Sequence, residues 1–292
     1  MAAPQASGKA ADSKSDFRVG GIRIEGASLA GMTTSVVVPQ FKLAFDIGRC
    51  PQRSCYQQTV LISHGHLDHA GGVHFHAATR AMLDLPESIF IVPENLAEHT
   101  RNLLDTAAKM DEFEKPYQIK VLKVGDQLDL PGGFFVRSFP TVHPVPSQGY
   151  VVYSRKQTLK KKYHGLPGPE IRDLRKSGVE VTDTVEVAEI AFTGDTCADF
   201  LNMETSKEAL KAKLLIMEMT FVDDSKDQDG AKENGHMHID DLTDHQDKFK
   251  NDHILLMHFS PRYSKQQIVD ALDDRLPESL QGKCVPLLEG FS

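Results

Sequence analysis

Apolar positions along this chain fall into short alternating or unbroken runs, punctuated by glycines and by acidic or histidine-bearing stops. The opening stretch GIRIEGASLAGMTTSVVVPQFKLAFDIG clusters β-branched and apolar residues between glycines and predicts several short strands. TVLISH reads as a buried strand, AATRAMLDL as a short helix and SIFIVP as a strand. ENLAEHTRNLLDTAAKMDEF has helical spacing through Leu96, His99, Leu103 and Leu104. IKVLKV, GFFVRSFPTVH and GYVVYS are strands, and EIRDLRKSG is a short helix closed by Gly178. VAEIAFTGD, LLIMEMTF and HILLMHFS read as strands, while SKEALKAK, HIDDLTDHQDKFK and SKQQIVDALDD read as helices. Each half thus alternates strands with polar ends and closes on helices. The pattern predicts an α/β fold of two sheets packed face to face, helices outside, with the strand ends meeting along one edge. No repeat or linker divides it, so one domain is expected over residues 18–292.

Composition narrows this picture. With 292 residues and 40% hydrophobic content the chain can bury a sizeable core. No apolar stretch approaches the ~20 residues a membrane span requires. The beginning, MAAPQASGKAADSKSD, has no apolar block and no Arg, unlike a secretory signal or an organellar transit peptide, and residues 1–17 read as a disordered tail. Cys50, Cys55, Cys197 and Cys284 are too few for a disulfide framework, which favours reduced thiols and a cytoplasmic location. Net charge is −8, yet residues 155–176 hold eight basic side chains against Glu170 and Asp173, a local +6 on a body of −14. That stretch is either a binding patch for an anionic partner or a solvated surface segment. It marks an inserted arm over about 154–184.

The stretch LISHGHLDHAGG packs three histidines and an aspartate into six positions. It is either a polar loop or a metal site. The order His64-x-His66-x-Asp68-His69 favours the latter: two histidines two apart on a strand end project from one side, and Asp68 and His69 follow in the turn toward a neighbouring position. That supplies ligands for two adjacent ions. Imidazole and carboxylate without thiolate suit zinc in an open, catalytic site. Further candidates stand at strand ends: His143 after SFPTV, Asp195 in a Gly-Asp-Thr turn where a carboxylate could bridge two ions, and His258 after HILLM. The remaining histidines His74, His76, His99, His164, His245 and His253 read as surface or supporting residues.

With these motifs the chain resembles the metallo-β-lactamase fold, an αββα sandwich of two mixed sheets flanked by helices with a dinuclear metal edge. Within it, MEMTF, NGHMH, HFSPRY, SQGYVVYS and FDIGRCPQR resemble the tRNase Z family, the short plant type in particular, over roughly residues 18–292. The resemblance implies a zinc-dependent endoribonuclease, ribonuclease Z, which removes 3′ trailers from precursor tRNAs by attack of metal-activated hydroxide and leaves a 3′-hydroxyl on the tRNA. It implies two Zn2+ per chain, one held by His64, His66 and His143, the other by Asp68, His69 and His258, with Asp195 bridging. Glu218 and His236 fall at the family's catalytic positions, His236 as general acid oriented by Glu218, with Asp68 beside them. Arg262 would clamp a phosphate, and Lys160, Lys161 and Lys162 in the arm would hold RNA. A cytoplasmic homodimer is implied, the arm of one subunit serving the other. A broader phosphodiesterase or arylsulfatase-like hydrolase of the same fold is the alternative.

Overall fold

The computed structural model describes residues 16–292. The expected tail over 1–17 therefore lies, but for its last two residues, outside the described residues. The strands are β1 (Arg18–Val19), β2 (Ile22–Arg23), β3 (Glu25–Leu29), β4 (Thr33–Val38), β5 (Leu43–Phe45), β6 (Thr59–Leu61), β7 (Ser88–Val92) and β8 (Tyr117–Val121) in the first part. The second part holds β9 (Gln127–Asp129), β10 (Phe134–Pro140), β11 (Gln148–Leu159), β12 (Thr182–Phe192), β13 (Leu214–Glu218), β14 (His253–Met257) and β15 (Cys284–Pro286). Helices are α1 (Leu67–Ala70), α2 (Val73–Met82), α3 (Ala97–Met110), α4 (Gly168–Lys176), α5 (Gln228–Glu233), α6 (Ile239–Asp244) and α7 (Lys265–Arg275). No helix among the described residues is long and apolar enough to cross a membrane.

β3 to β8 form one sheet in sequence order, and β9 to β15 form the other. Both are mixed. β3, β4 and β5 pair antiparallel and β5 to β8 parallel; β9 to β12 pair antiparallel and β12 to β15 parallel. Strand alternation decides which side chain enters which layer. Val36 and Val38 of β4 face the inter-sheet core with Phe45, Leu61, Ile190, Phe192 and Ile216, whereas Val37 faces the helices with Ala44, Val60 and Phe90. Leu215 and Met217 of β13 turn outward to Ile239, Leu242 and Ile268. Phe45 and Phe192 stack across the sandwich with centroids 4.8 Å apart. Helix, sheet, sheet, helix is the resulting order of layers, as the apolar pattern predicted.

Three local expectations change. SKEALKAK forms no α-helix but two short 3-10 turns, Glu204–Ser206 and Ala209–Lys211. Lys213 N already donates to Ala188 O at 3.1 Å, so the chain must be extended before it enters β13 and no length remains for a helix. β15 and α5 were not anticipated. His76 is a core residue: it has no solvent exposure, its Nε2 donates to Gln57 O at 3.0 Å, and its Nδ1 accepts from Ser88 Oγ at 2.9 Å.

The basic segment is the far end of a long hairpin. β11 runs unbroken from the core into it, pairing with β12 from Tyr150↔Phe192 out to Leu159↔Thr182. Beyond lies α4, none of whose residues is buried. The returning strand is acidic. Glu180, Asp183, Glu186 and Glu189 on this leg, with Glu170 and Asp173, offset six of the eight basic charges, so residues 154–189 carry a net +2. Lys160 lies 3.5 Å from Glu180 and Lys156 2.9 Å from Glu189. Lys161 and Lys162 remain exposed, Lys162 over the Tyr163 ring at 4.8 Å.

Candidate metal centre

Strands of both sheets end on one edge of the sandwich, and the loops that follow them carry the candidate ligands. β6 stops at Leu61, so His64 and His66 do not sit on a strand end as strand alternation suggested. His64 lies in the connecting loop, His66 precedes α1, and Asp68 and His69 belong to α1 itself. The first turn of a short helix, not a strand pleat, brings them together. His143 follows β10 by three residues, Asp195 follows β12 by three, Glu218 ends β13, and His258 follows β14. His258 takes φ 61° and Asp46 φ 56°, left-handed values that cost a non-glycine residue roughly 1–3 kcal/mol each and cluster at functional sites.

The ligand atoms converge in overlapping groups: His64, His66, His143 and Asp195; Asp68, His69 and His258; and Asp195 with Glu218, His236 and His258. Asp195 is central. Its Oδ2 lies 3.3 Å from His69 Nε2, 3.4 Å from His258 Nε2, 3.8 Å from His64 Nε2 and 4.0 Å from His143 Nε2. Asp68 Oδ2 is 3.6 and 3.5 Å from His69 and His258.

Hydrogen bonds behind the rings set their tautomers. His69 Nδ1 donates to Asp46 Oδ2 at 2.7 Å, and His143 Nδ1 donates to Gly235 O at 3.0 Å. Ser63 spends its hydroxyl proton on Asp46 Oδ2 at 2.8 Å and so accepts from His64 Nδ1 at 2.9 Å. Thr220 spends its own on Glu218 Oε2 at 2.5 Å and accepts from His258 Nδ1 at 3.2 Å. Four imidazoles therefore present Nε2 lone pairs to the cluster. His69 Nε2 and His258 Nε2 face each other at 3.2 Å with no proton between them. His64 Nε2 and Asp195 Oδ1 are buried without any partner. Such an arrangement is costly when empty of positive charge and fits a cation. Burial brings His64 down to about 2, which keeps it the neutral imidazole a ligand must be.

Beside the cluster stands a different pair. His236 Nδ1 donates to Glu218 Oε1 at 2.8 Å, and its ring lies 5.3 Å from His143 and 5.5 Å from His258. Glu218 is fully buried and also accepts from Thr196 N, Thr220 N and Met237 N. Burial opposes charge on His236, yet Glu218 outweighs it and raises the imidazole to about 9. His236 is thus protonated at neutral pH. Gly235 before it needs both its φ of 75° and its missing side chain, since a Cβ there would stand 2.2 Å from Pro144. Arg262 is exposed and stacks its guanidinium 5.2 Å from the Phe221 centroid, while Phe221 meets His236 at 6.2 Å. Lys160, Lys161 and Lys162 are not part of this cluster; they lie in the arm. Asp46, Ser63, Thr220 and Gly235 escaped the sequence reading. Of these, Asp46 carries the signal that found the others, a carboxylate closing an apolar run.

Residues 49–259 match the family described as Beta-lactamase superfamily domain. tRNase Z TRZ1 of Arabidopsis thaliana is 43% identical over 96% of this chain and 100% of its own length. The chloroplastic tRNase Z TRZ2 of the same plant is 40% identical over 92% of this chain and 75% of its own. Among solved structures, the short form of human tRNase Z superposes with a TM-score of 0.56 at 20% identity, covering 82% of this chain and 92% of that one. The fold protein YhfI of Bacillus subtilis gives 0.60 at 14% identity over 91% and 95%. By the extent and level of these matches, the chain belongs to the tRNase Z family of the β-lactamase superfamily.

Proposed function

We propose that this protein is a metal-dependent endoribonuclease that removes 3′ trailers from precursor tRNAs and leaves a 3′-hydroxyl on the tRNA. The observation that carries this reading is His236, held 2.8 Å from buried Glu218, beside a cluster of metal-ready imidazoles. His64, His66 and His143 would hold one Zn2+, Asp68, His69 and His258 a second, and Asp195 would lie between both. When bound, such a pair supplies Lewis acidity toward a phosphodiester and an acidified water near neutral pH. The chain's own residues do the rest. With Nδ1–H committed to Glu218, the remaining His236 proton at Nε2 is the one available to a leaving 3′ oxygen. Protonation of this kind is worth roughly 10²–10⁴-fold. Arg262, held over Phe221, would offer a phosphate the bidentate contact that a lysine does not.

The exposed arm, with Lys161 and Lys162 unpaired by acids, supports an RNA contact remote from the cluster. Leu67, Phe75, Met82, Leu103 and Met110 expose apolar side chains along α1, α2 and α3, which supports pairing with a second copy of the chain. Four free thiols suit a cytoplasmic location, checked by following a fluorescent fusion.

Incubation with a labelled precursor tRNA, with and without chelator, tests the reading. Release of a discrete trailer and a tRNA ending in a 3′-hydroxyl, abolished by chelator and restored by zinc, is expected. The near-neutral folded arm favours one competitor, a broader phosphodiesterase. Hydrolysis of a nitrophenyl phosphodiester with intact precursor tRNA would establish that competitor instead.

A further inference from the structure

Outside the metal cluster, one pair of reactive side chains is left without a role by the nuclease chemistry. Cys50 Sγ and Cys55 Sγ lie 3.4 Å apart, at the two ends of the turn Pro51–Ser54. We propose that Cys50 and Cys55 form a reversible dithiol–disulfide couple, a redox modification site set against the helix that carries Asp68 and His69.

Three features of the surroundings support it. First, the thiols already touch, while the intervening Gln52 and Arg53 are exposed and free to adjust as the sulfurs close to bonding distance. Second, the two cysteines are unequal. Cys50 is half-buried at a φ of 42°, and Cys55 is buried, with its carbonyl accepting from Arg80 Nη1 at 2.7 Å. The Cys50 thiol hydrogen bond, against the cost of burial and helped by Thr79 and Arg80, brings Cys55 to about 7, so a thiolate is present at neutral pH. Third, the turn is braced against the ligand helix. Ile47 N donates to His69 O at 2.6 Å and Gly72 N to Ile47 O at 2.7 Å. A Cβ on Gly72 would stand 3.0 Å from Cys50 Cβ.

The reaction needs a small-molecule disulfide, for which glutathione disulfide serves. Cys50, the more accessible member, passes its proton to the Cys55 thiolate across their 3.4 Å contact and attacks one glutathione sulfur; the S–S bond of glutathione breaks, and the released thiolate takes that proton from Cys55. The Cys55 thiolate then attacks the Cys50 sulfur of the mixed disulfide and expels the second glutathione, which takes a proton from water. Two protein thiols are oxidised, one glutathione disulfide is reduced to two glutathiones, and no other reactant enters.

The test is peptide mapping of the full chain equilibrated in glutathione buffers, quenched in acid and alkylated. Trypsin cuts after Arg49, Arg53 and Arg80, so the reduced protein yields a peptide beginning at Cys50 and a separate one beginning at Ser54. In excess glutathione disulfide these two should remain joined, two of the four thiols should be lost, and dithiothreitol should restore both. Cys55→Ser should instead leave glutathione attached at Cys50. Four surviving thiols, a stable glutathione adduct on wild-type Cys50, or loss of Cys197 and Cys284 in place of this pair would overturn the proposal. The wild-type map decides the matter alone if the variant does not fold.

Discussion

Asp46 Oδ2 and His69 Nδ1 lie 2.7 Å apart, and neither side chain has any contact with solvent. The carboxylate also accepts from Ser63 N at 2.7 Å, so a single buried acid orients His69 directly and His64 through Ser63. Supporting groups of this kind are worth about 10–100-fold in metal affinity. Asp46→Ala should therefore let a chelator strip zinc at a concentration lower by about that factor. An unchanged chelator titration in a folded variant would show that Asp46 serves only the fold.

Asp195 carries the greatest burden in the cluster, since its Oδ2 approaches four imidazoles and its Oδ1 has no partner. Asp195→Ala should lower bound zinc below the wild-type level and nearly abolish cleavage of precursor tRNA. Elemental analysis returning full zinc together with full activity would refute the central role.

His236→Ala should depress turnover roughly 10²–10⁴-fold with zinc content unchanged. Glu218→Gln should act in the same direction by withdrawing the charge that keeps His236 protonated. Both losses should shrink on a nitrophenyl phosphodiester, whose leaving group departs without a proton. Equal losses on the two substrates would assign His236 to support of a ligand rather than to proton transfer.

Within the arm, Lys160 is engaged by Glu180 and Asp183, whereas Lys161 and Lys162 have no acidic partner among the described residues. Lys161→Ala with Lys162→Ala should weaken precursor-tRNA binding and flatten the dependence of log affinity on log salt by about 0.7–0.9 per lost phosphate contact. Lys160→Ala should do less. Hydrolysis of a small phosphodiester should be unaffected. Unchanged affinity and slope in the double variant would return the arm to a solvated surface segment.

His76 offers a pH readout apart from the metal site. Burial, partly offset by its hydrogen bonds to Gln57 and Ser54, lowers it to about 4. Its unfolded value is ~6.5, so the unfolded chain binds the extra proton between those limits. The stabilisation from keeping it neutral is complete above pH ~6.5 and is lost as pH falls toward 4. Between pH 7 and 5 the wild type should lose about 2 kcal/mol more than His76→Gln, measured by denaturant unfolding. Parallel curves would mean that His76 does not titrate with folding.

Much of this architecture was legible before any coordinates. The apolar runs of β4 and β13 and the polar stops after β12 and β14 announce themselves because an unbroken apolar run closed by a charged or imidazole side chain marks a buried strand. The metal-ready residues were legible for a related reason, since imidazoles and carboxylates placed after apolar strands have few structural uses. What stayed hidden depends on partners distant in sequence. Nothing near Lys160 reveals that Glu180 and Asp183 will return beside it in the paired strand, so a local sum of charges overstated the arm. Likewise His76 looks like any surface histidine until Ser88 and Gln57 close around it. The helical reading of SKEALKAK failed because tertiary bonding to Ala188 overrides local propensity.

The long hairpin has one more consequence. β11 spans 12 residues, ~40 Å at ~3.3 Å per residue, starting at Gln148, whose N–H bonds Ser63 O beside the cluster. β12 returns to within three residues of Asp195. Both legs of the arm are thus rooted in the cluster's own walls, and the paired strands fix how far the arm reaches. Whatever the far end touches is therefore held at one hairpin length from the cluster of its own chain. Trimming two residues from each strand would shorten that reach by ~7 Å.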